Sequence, residues 1–290
     1  MESRLGRTLP DDGLPYGESW EIVDRPEAAS VVADGPWAGR TLGDLWRSQR
    51  AEIFGIEGGP ERFPVLCKVL DARDKLSVQV HPPAPVCAAL DGESKDEVWY
   101  LIDVDPGAEL YVGLRQGVTR EALEKSLHEG GTGELLHVLR PQPGESIFLP
   151  SGRLHAIGAG LMILEIQQNS DTTYRVHDWD RVGLDGQPRE MHVAQAMAST
   201  DFHDIEPAMR PAADGDLVRC EHFFVERRSL GGAATWRPED GRFRLVAVAD
   251  GPVTCGGAAF RKGDFFLLPK DGPPVEAGPG GAVVLLAGLP

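Results

Sequence analysis

The sequence predicts a mainly β fold, and three observations support this prediction. Glycine and proline contribute 35 and 23 of the 290 residues, so turn-forming residues divide the chain into short segments. Between these turns, apolar and polar residues alternate over roughly four to eight positions, as expected for strands with one buried face. The segment GESIFLP at 144–150 also returns almost position for position as GDFFLLP at 263–269. This internal repeat indicates two copies of one β architecture.

The predicted strands follow one another through most of the chain. Residues 18–23 alternate in polarity and predict the first strand. Further strands are predicted by the same criteria at 64–70, 76–83, 95–102, 108–113, 135–139 and 161–168. The polar residues 198–216 include two prolines and predict a linker. We therefore expect two domains, at 1–205 and 206–290.

Two short helices are expected among these strands. Residues 41–50 carry apolar side chains at 42, 45 and 46, the spacing of an amphipathic helix, and Thr41 is suited to cap it. Thr119 is the predicted cap of a second helix that continues to His128 and stops at Gly130.

Composition and charge argue against several classes of partner. The formal net charge is −16, and so acidic a surface repels nucleic acid and anionic lipid. No apolar run approaches the roughly 18 residues that a membrane helix needs. The four cysteines form no C-x-x-C pair, and the first residues lack the apolar run of a signal peptide. We expect a cytoplasmic protein, a monomer or small homo-oligomer, with no nucleic acid or membrane partner.

Three segments together offer the side chains of a metal site. In the strand at 76–83, Gln79 and His81 lie on the face opposite the aliphatic residues. Glu97 belongs to the strand at 95–102, where Lys95 shares its face, and His155 follows the turn after residue 150. An amide, two imidazoles and a carboxylate make a plausible four-ligand site with nitrogen and oxygen donors.

The histidines and Glu97 also have simpler explanations. A single histidine on a strand is usually a hydrogen-bonded structural residue. Glu97 could form a salt bridge with Lys95 instead of binding a metal. His177 and His192 are expected to be structural.

Sequence motifs extend this picture. Residues 144–158 fit Gly-x5-Pro-x-Gly-x2-His-x3 and resemble the second signature of the cupin superfamily, although Ala159 stands where that pattern ends in Asn. Gln79-x-His81 with the later Glu97 departs from the first cupin signature, and this variant resembles the class I mannose-6-phosphate isomerases. LSVQVHP at 76–82, LPSGxxHAIG at 149–158 and QQNSDTTYRV at 167–176 also resemble motifs of that family.

The resemblance implies a fold and a set of roles. It implies two cupin-type jelly-roll units (double-stranded β-helices) with a few short helices, the second unit lacking metal ligands. The implied ligands of one Zn²⁺ per chain, or of another divalent metal, are Gln79, His81, Glu97 and His155. The implied catalytic residues are Arg175, Lys95 and Asp171, and the candidates for binding the substrate are Lys95, Arg153 and Arg175.

The resemblance also implies an activity. A class I mannose-6-phosphate isomerase interconverts mannose 6-phosphate and fructose 6-phosphate through a cis-enediol, so the expected partner is a small sugar phosphate. Lys95 could act as the base or as a clamp for the substrate, and a metal-bound hydroxide or a histidine could also be the base. Arg175 could instead be a structural partner of Asp171 or Asp178. Two other functions remain open: a non-catalytic sugar-phosphate-binding protein, and another metal-dependent cupin enzyme such as an iron dioxygenase.

Overall fold

The computed structural model describes residues 1–183 and 186–290, and most of its regular structure is strand. The strands before residue 178 are β1 (Glu18–Ile22), β2 (Val65–Ala72), β3 (Val78–Val80), β4 (Glu97–Val104), β5 (Leu110–Leu114), β6 (Leu136–Leu139), β7 (Ser146–Leu149), β8 (His155–Ile157), β9 (Leu161–Gln168) and β10 (Tyr174–His177). The later strands are β11 (Gly215–Arg219), β12 (Phe224–Leu230), β13 (Thr235–Trp236), β14 (Arg244–Asp250), β15 (Val253–Cys255), β16 (Ala258–Phe260), β17 (Phe265–Leu268), β18 (Val275–Ala277) and β19 (Ala282–Gly288). The predicted mainly β fold is confirmed.

Short helices lie between the strands. They are α1 (Glu2–Leu5), α2 (Leu42–Ser48), α3 (Ala84–Leu90), α4 (Arg120–Glu129) and α5 (Val193–Ser199), with a π-helical turn at Arg50–Phe54 and a 3-10 turn at Thr132–Leu135. None of the helices in the described residues combines the length and apolar character needed to span a bilayer. Both predicted caps are confirmed, because Thr41 accepts a hydrogen bond from the Asp44 amide and Thr119 from the Ala122 amide.

One antiparallel sheet has the strand order β10-β3-β8-β5-β6. Directly opposite residues of antiparallel strands project from the same face. Tyr174 lies opposite Val80, and both side chains belong to an apolar core that also contains Leu123 of α4 and Met197 of α5. The other face of the sheet is therefore directed away from these helices.

That other face carries candidate site residues in one row across three strands. Arg175 of β10 lies opposite Gln79 of β3, and Gln79 lies opposite His155 of β8. Next in the row, Val112 of β5 lies opposite His155. The strand register alone thus aligns a predicted catalytic arginine with two predicted metal ligands.

The internal repeat corresponds to one strand arrangement formed twice. β7 contains the first copy of the repeated segment and pairs with β4, where Glu97 lies opposite Leu149. β17 contains the second copy and pairs with β14, where Arg244 lies opposite Leu268. The C-terminal strands form two sheets, ordered β11-β12-β19-β14-β17 and β13-β18-β15-β16, around an apolar core. Two copies of one β architecture are present, as the sequence predicted.

The chain forms two compact units. One contains Met1–Leu70, Ile163–Asn169 and Ala212–Pro290, and the other contains Asp71–Met162 and Ser170–Pro211. In the first unit, Phe54 and Phe63 pack against Phe243 with ring centroids 5.2 and 5.8 Å apart. N-terminal and C-terminal residues thus share one aromatic core. A single domain boundary in the sequence cannot describe this arrangement. The expected domains at 1–205 and 206–290 stay a prediction.

The segment expected to be a linker is hydrogen-bonded to the unit that contains Asp71–Met162. The Leu114 amide donates to the Asp204 carbonyl at 3.1 Å, and the Arg210 amide donates to the Ser146 carbonyl at 2.8 Å. The backbone of this segment therefore continues the hydrogen bonding of β5 and β7. The predicted linker at 198–216 is thus hydrogen-bonded to these strands, and isolated β-bridges form at Ile205 and Arg210 although prolines interrupt a regular strand.

Candidate functional site

His81, Glu97 and His155 come together at the ends of three strands. His81 follows β3, Glu97 begins β4 and His155 begins β8. One potential ligand atom from each lies within 4.8 Å of the others, and each residue is buried, at 1–3% exposure. Glu97 is central: its Oε2 lies 3.6 Å from Nε2 of His81, and its Oε1 lies 3.4 Å from Nε2 of His155. We refer to these three residues as the His–Glu–His group.

Main-chain carbonyls orient both imidazoles. Nδ1 of His81 lies 2.9 Å from the Thr172 carbonyl, and Nδ1 of His155 lies 2.9 Å from the Arg153 carbonyl. A carbonyl only accepts hydrogen bonds, so each Nδ1 carries the proton when the ring is neutral. The lone pair of each ring is then on Nε2, the atom directed at Glu97. Metal-binding histidines in proteins show this arrangement.

Burial and charge favour the protonation states that a metal requires. Burial, together with the nearby charge of Lys95, lowers the pKa of His81 to about 3. Burial also lowers the pKa of His155. Burial alone would raise the pKa of Glu97, but Lys95 and His81 together bring it below its usual range. The group therefore holds neutral imidazoles beside a charged carboxylate, the forms that bind metal ions.

Lys95 belongs to the same cluster. It is buried, and its Nζ lies 3.4 Å from Oε2 of Glu97. The salt bridge that offered a simpler explanation for Glu97 is thus present, in addition to the two histidine contacts. The Lys95 amide donates to Oγ of Ser151 at 2.9 Å, which fixes the backbone before β4.

Gln79 and Arg175 lie in the sheet row described above. Nε2 of Gln79 donates to Oγ of Ser77 at 3.1 Å, so the amide is held by its nitrogen. The guanidinium of Arg175 donates from NH1 to the Glu190 carbonyl at 2.8 Å, while its buried Nε has no hydrogen-bond partner among the described residues. Asp178, which could have paired with Arg175, accepts hydrogen bonds from Arg181 and Arg189.

The other two predicted site residues lie differently. Asp171 is exposed in the segment before β10. The guanidinium of Arg153 forms a two-bond ion pair with Asp204, at 2.6 and 2.8 Å, and also donates to the Phe148 carbonyl. Three nitrogens of Arg153 are thus engaged within the protein, which favours a structural role over contact with a substrate.

The sequence predicts the turn before His155, but not the hydrogen bonds by which its residues hold the cluster in place. Oγ of Ser151 accepts a hydrogen bond from the Lys95 amide, and the Ser151 amide donates one to Oδ1 of Asp96 at 2.8 Å. Gly152 has φ of +97° and donates its amide to the His81 carbonyl at 2.8 Å, so a glycine is needed where this turn meets the ligand strand. The Pro150-Ser151-Gly152 sequence signals the turn, but nothing in it reveals these partners.

The His–Glu–His group fits a divalent metal ion. Nε2 of His81 is buried and has no hydrogen-bond partner in the described part of the chain, and Oε2 of Glu97 has no hydrogen-bond partner there beside its ion pair with Lys95. Buried polar atoms without partners are costly, and a cation bound to both would offset that cost. Two imidazoles and a carboxylate, with an amide nearby, suit zinc or another divalent transition metal. Within residues 1–183 and 186–290, this is the one group of three or more such side chains.

Comparisons with known proteins identify the family of the chain. The family model for the catalytic domain of type I phosphomannose isomerase matches residues 1–114. The chain is 36% identical to mannose-6-phosphate isomerase ManA of Bacillus subtilis, over 91% of this chain and 86% of that protein. It is also 36% identical to the mannose-6-phosphate isomerase of Streptococcus mutans, over 93% of this chain and 87% of that one.

Solved structures show the same fold. The crystal structure of a mannose 6-phosphate isomerase from Bacillus subtilis superposes with a TM-score of 0.85 at 31% identity, covering 99% of this chain and 94% of that one. A zinc-bound mannose 6-phosphate isomerase, 18% identical, shares the fold with a TM-score of 0.73 over 100% of this chain and 95% of that one. The similarity extends over nearly the whole chain, and the protein belongs to the mannose-6-phosphate isomerase family.

Proposed function

We propose that the protein is a zinc-dependent aldose–ketose isomerase that interconverts mannose 6-phosphate and fructose 6-phosphate. The observation that carries this proposal is the buried His–Glu–His group, with both Nε2 atoms directed at one carboxylate. The family membership supplies the substrates, since relatives of similar length are named for mannose 6-phosphate.

The predicted metal ligands are Gln79, His81, Glu97 and His155. His81, Glu97 and His155 have the burial and mutual distances of a metal site, and Gln79 lies opposite His155 in the sheet. A bound zinc ion supplies a Lewis acid that stabilises negative charge on a substrate oxygen. Other divalent metals with similar ligand preferences could replace it.

The chain itself must move a proton between C1 and C2 of the sugar through a cis-enediol. Lys95 Nζ is the candidate for that transfer or for a clamp on the substrate, and the two roles need different protonation states. Only the neutral amine accepts a proton, whereas the ammonium donates hydrogen bonds. The ion pair between Lys95 and Glu97 supports the clamp, because it stabilises the ammonium.

Arg175 is the candidate for stabilising the charge that develops on the enediol oxygens. Its place beside Gln79 in the sheet and the missing hydrogen-bond partner of its Nε support this role. Asp171 and Arg153 stay predictions for catalysis and substrate binding, and the ion pair with Asp204 weighs against the second.

The test is a coupled assay for fructose 6-phosphate formation, run with metal analysis of the same sample. We expect about one zinc per chain, loss of turnover after EDTA treatment and recovery on adding Zn²⁺. Full turnover in metal-free protein would contradict the proposal. Saturable binding of mannose 6-phosphate without turnover would identify a sugar-phosphate-binding protein, and oxygen consumption would identify a different cupin enzyme.

A cytoplasmic location and a monomeric or small homo-oligomeric state belong to the same proposal. The acidic composition supports the absence of a nucleic acid partner, because a net charge of −16 repels phosphate backbones. Cell fractionation and size-exclusion chromatography with light scattering test these two points.

A further inference from the structure

The C-terminal β repeat has a cavity of its own. Its volume is about 610 Å³, within the range of small-molecule sites. The residues of its lining that matter here are Glu226, Arg228, Trp236, Glu239, Asp240 and Arg244. They come from β12, β13, β14 and the connection between the last two. The metal chemistry proposed above uses none of them.

The strand register shows where this cavity lies within the repeat. Arg244 begins β14 and lies opposite Leu268, just as Glu97 begins β4 and lies opposite Leu149. Leu149 and Leu268 are the same position of the repeated segment, each followed by proline. Arg244 thus occupies the place that Glu97 has in the first repeat.

A second pair of strands gives the same result. Trp236 of β13 lies opposite Val275, the first residue of β18. Gln79 of β3 lies opposite His155, the first residue of β8. Trp236 therefore corresponds to Gln79, and Val275 to His155. Two residues of the cavity lining, Arg244 and Trp236, thus occupy the positions of Glu97 and Gln79, whereas Val275 lies in the apolar core.

The substitutions change what such a cavity can hold. An arginine in place of the central carboxylate repels a metal cation, and valine offers no ligand atom. The remaining charges are largely paired: Arg228 donates to Glu226, and Arg244 donates to Asp240 at 2.7 Å. The lining as a whole contains three arginines and three carboxylates, so it carries little net charge to attract a free anion.

Paired charges beside an aromatic ring suit a neutral, hydroxyl-rich ring. Trp236 is half-buried, and the guanidinium carbon of Arg228 lies 5.3 Å from its ring centroid. An indole presents a flat apolar surface to the C–H groups of a pyranose. Carboxylates accept hydrogen bonds from sugar hydroxyls, and guanidinium groups donate to their oxygens. The ion pairs that line the cavity thus provide both hydrogen-bond acceptors and hydrogen-bond donors in fixed positions.

We infer that the cavity of the second repeat binds a neutral carbohydrate, a hexose or short oligosaccharide, against Trp236. This inference does not depend on the proposed isomerase activity, because the ligand carries no phosphate and the residues belong to a different repeat.

The test uses the full-length protein labelled with ¹⁵N on its indole groups. The chain has 6 tryptophans, and the Trp236→Phe variant identifies the Trp236 signal by its absence. Titration with D-mannose and with mannobiose should shift that signal saturably, with a dissociation constant of about 1–10 mM. The double variant Arg237→Gln/Glu239→Gln changes two exposed residues of the lining and should weaken this binding about tenfold.

Trp37→Phe is the matched control. Trp37 also has an arginine over its ring, Arg40, at the same 5.3 Å, but lies outside the cavity. Its signal should stay in place during the titration, and its replacement should leave the affinity unchanged. Three results would overturn the inference: no saturable shift of the Trp236 signal, a shift only with inorganic phosphate or mannose 6-phosphate, or equal affinity in the double variant.

Discussion

The two β repeats use one strand arrangement for two different purposes. In the first repeat, the beginnings of β4 and β8 carry Glu97 and His155. In the second, the corresponding strands β14 and β18 begin with Arg244 and Val275. Backbone hydrogen bonding sets the positions in both cases, and the side chains decide whether the position binds a metal. The comparison teaches that one fold can place different side chains at the same position, so the chemistry of a site follows from its side chains.

A second difference is an extra strand. The sheet that carries Gln79 and His155 has β10 at its edge, whereas the corresponding four-stranded sheet of the second repeat ends at β13. β10 brings Arg175 beside Gln79, and the residues after it include the ion pairs of Asp178. The first repeat thus gains the cationic side chain of Arg175 and, after it, a cluster of ion pairs around Asp178.

The largest effect is expected from removing the charge that distinguishes the first repeat. Glu97→Gln keeps the size of the side chain but removes its negative charge. The two neutral imidazoles would then have no carboxylate beside them to bind the metal ion. We expect zinc content to fall to near zero and kcat/KM to fall by at least about 10²-fold. Metal analysis and the coupled assay measure both quantities.

Glu109→Gln is the control for this change. Glu109 is a partly buried carboxylate of the same unit that accepts a hydrogen bond from Tyr111. Its replacement should leave zinc content and turnover unchanged. A Glu97→Gln protein that still binds one zinc would mean that this carboxylate does not explain why the first repeat binds metal and the second does not.

The extra strand provides the second prediction. Arg175→Ala removes a fixed positive charge, so kcat should fall about 10²–10³-fold while zinc content stays the same. Arg175→Lys should recover part of the rate, because it keeps the charge but not the planar donor geometry. An Arg175→Ala enzyme with an unchanged rate would exclude Arg175 from the reaction.

The third prediction concerns the ion pairs after β10. Burial would raise the pKa of Asp178, but hydrogen bonds from Arg189 and Arg181 outweigh it and lower that pKa in the folded protein. The stabilisation is therefore present above the unfolded pKa of about 4 and is lost as the pH falls through the lower folded value. At pH 7, Asp178→Asn should reduce the free energy of unfolding by about 2–3 kcal/mol.

Urea unfolding from pH 7 to pH 3 checks this prediction. The difference between the wild-type and Asp178→Asn proteins should narrow below about pH 4, because the Asp178 carboxyl of the unfolded wild-type chain is then protonated, which stabilises the unfolded state relative to the folded one. A difference that stays constant over this range would mean that the charge of Asp178 does not stabilise the fold.

The smallest effect is expected at Asp204, the partner of Arg153. Arg153 lies two residues before β8, where the second repeat has Pro273 before β18, so the ion pair is specific to the first repeat. Asp204→Asn should cost about 1–2 kcal/mol of stability, since one partner of a partly buried charged pair is lost. KM should remain unchanged if Arg153 is structural. A severalfold rise in KM, with turnover otherwise intact, would return Arg153 to the substrate site.

Much of the fold could be predicted because its signals are local. Thr41 and Thr119 cap helices through contacts three residues away, and the alternation at 18–23 or 161–168 is visible within one strand. No helix is predicted at α3, because Pro82 and Pro83 are assigned to the end of the strand at 76–83. Prolines in the first turn of a helix lose no hydrogen bond, however, and here they begin one.

Other features depend on contacts between distant segments. Trp46, Phe54 and Phe63 are ordinary apolar residues in the sequence, and nothing nearby shows that Phe243 completes their core. The ligand types at the candidate site could be predicted from motifs. Their orientation could not, because the acceptors at Nδ1 are carbonyls, which every residue has.

Those two carbonyls have a consequence for how the site changes over evolutionary time. A carboxylate that orients a histidine disappears with one codon change, whereas a main-chain oxygen at Thr172 or Arg153 survives any replacement that preserves the turn. The path of the backbone, and not a side chain, thus fixes which ring nitrogen carries the proton. Side chains around the two imidazoles can therefore change during evolution while each Nε2 keeps the lone pair that binds a metal.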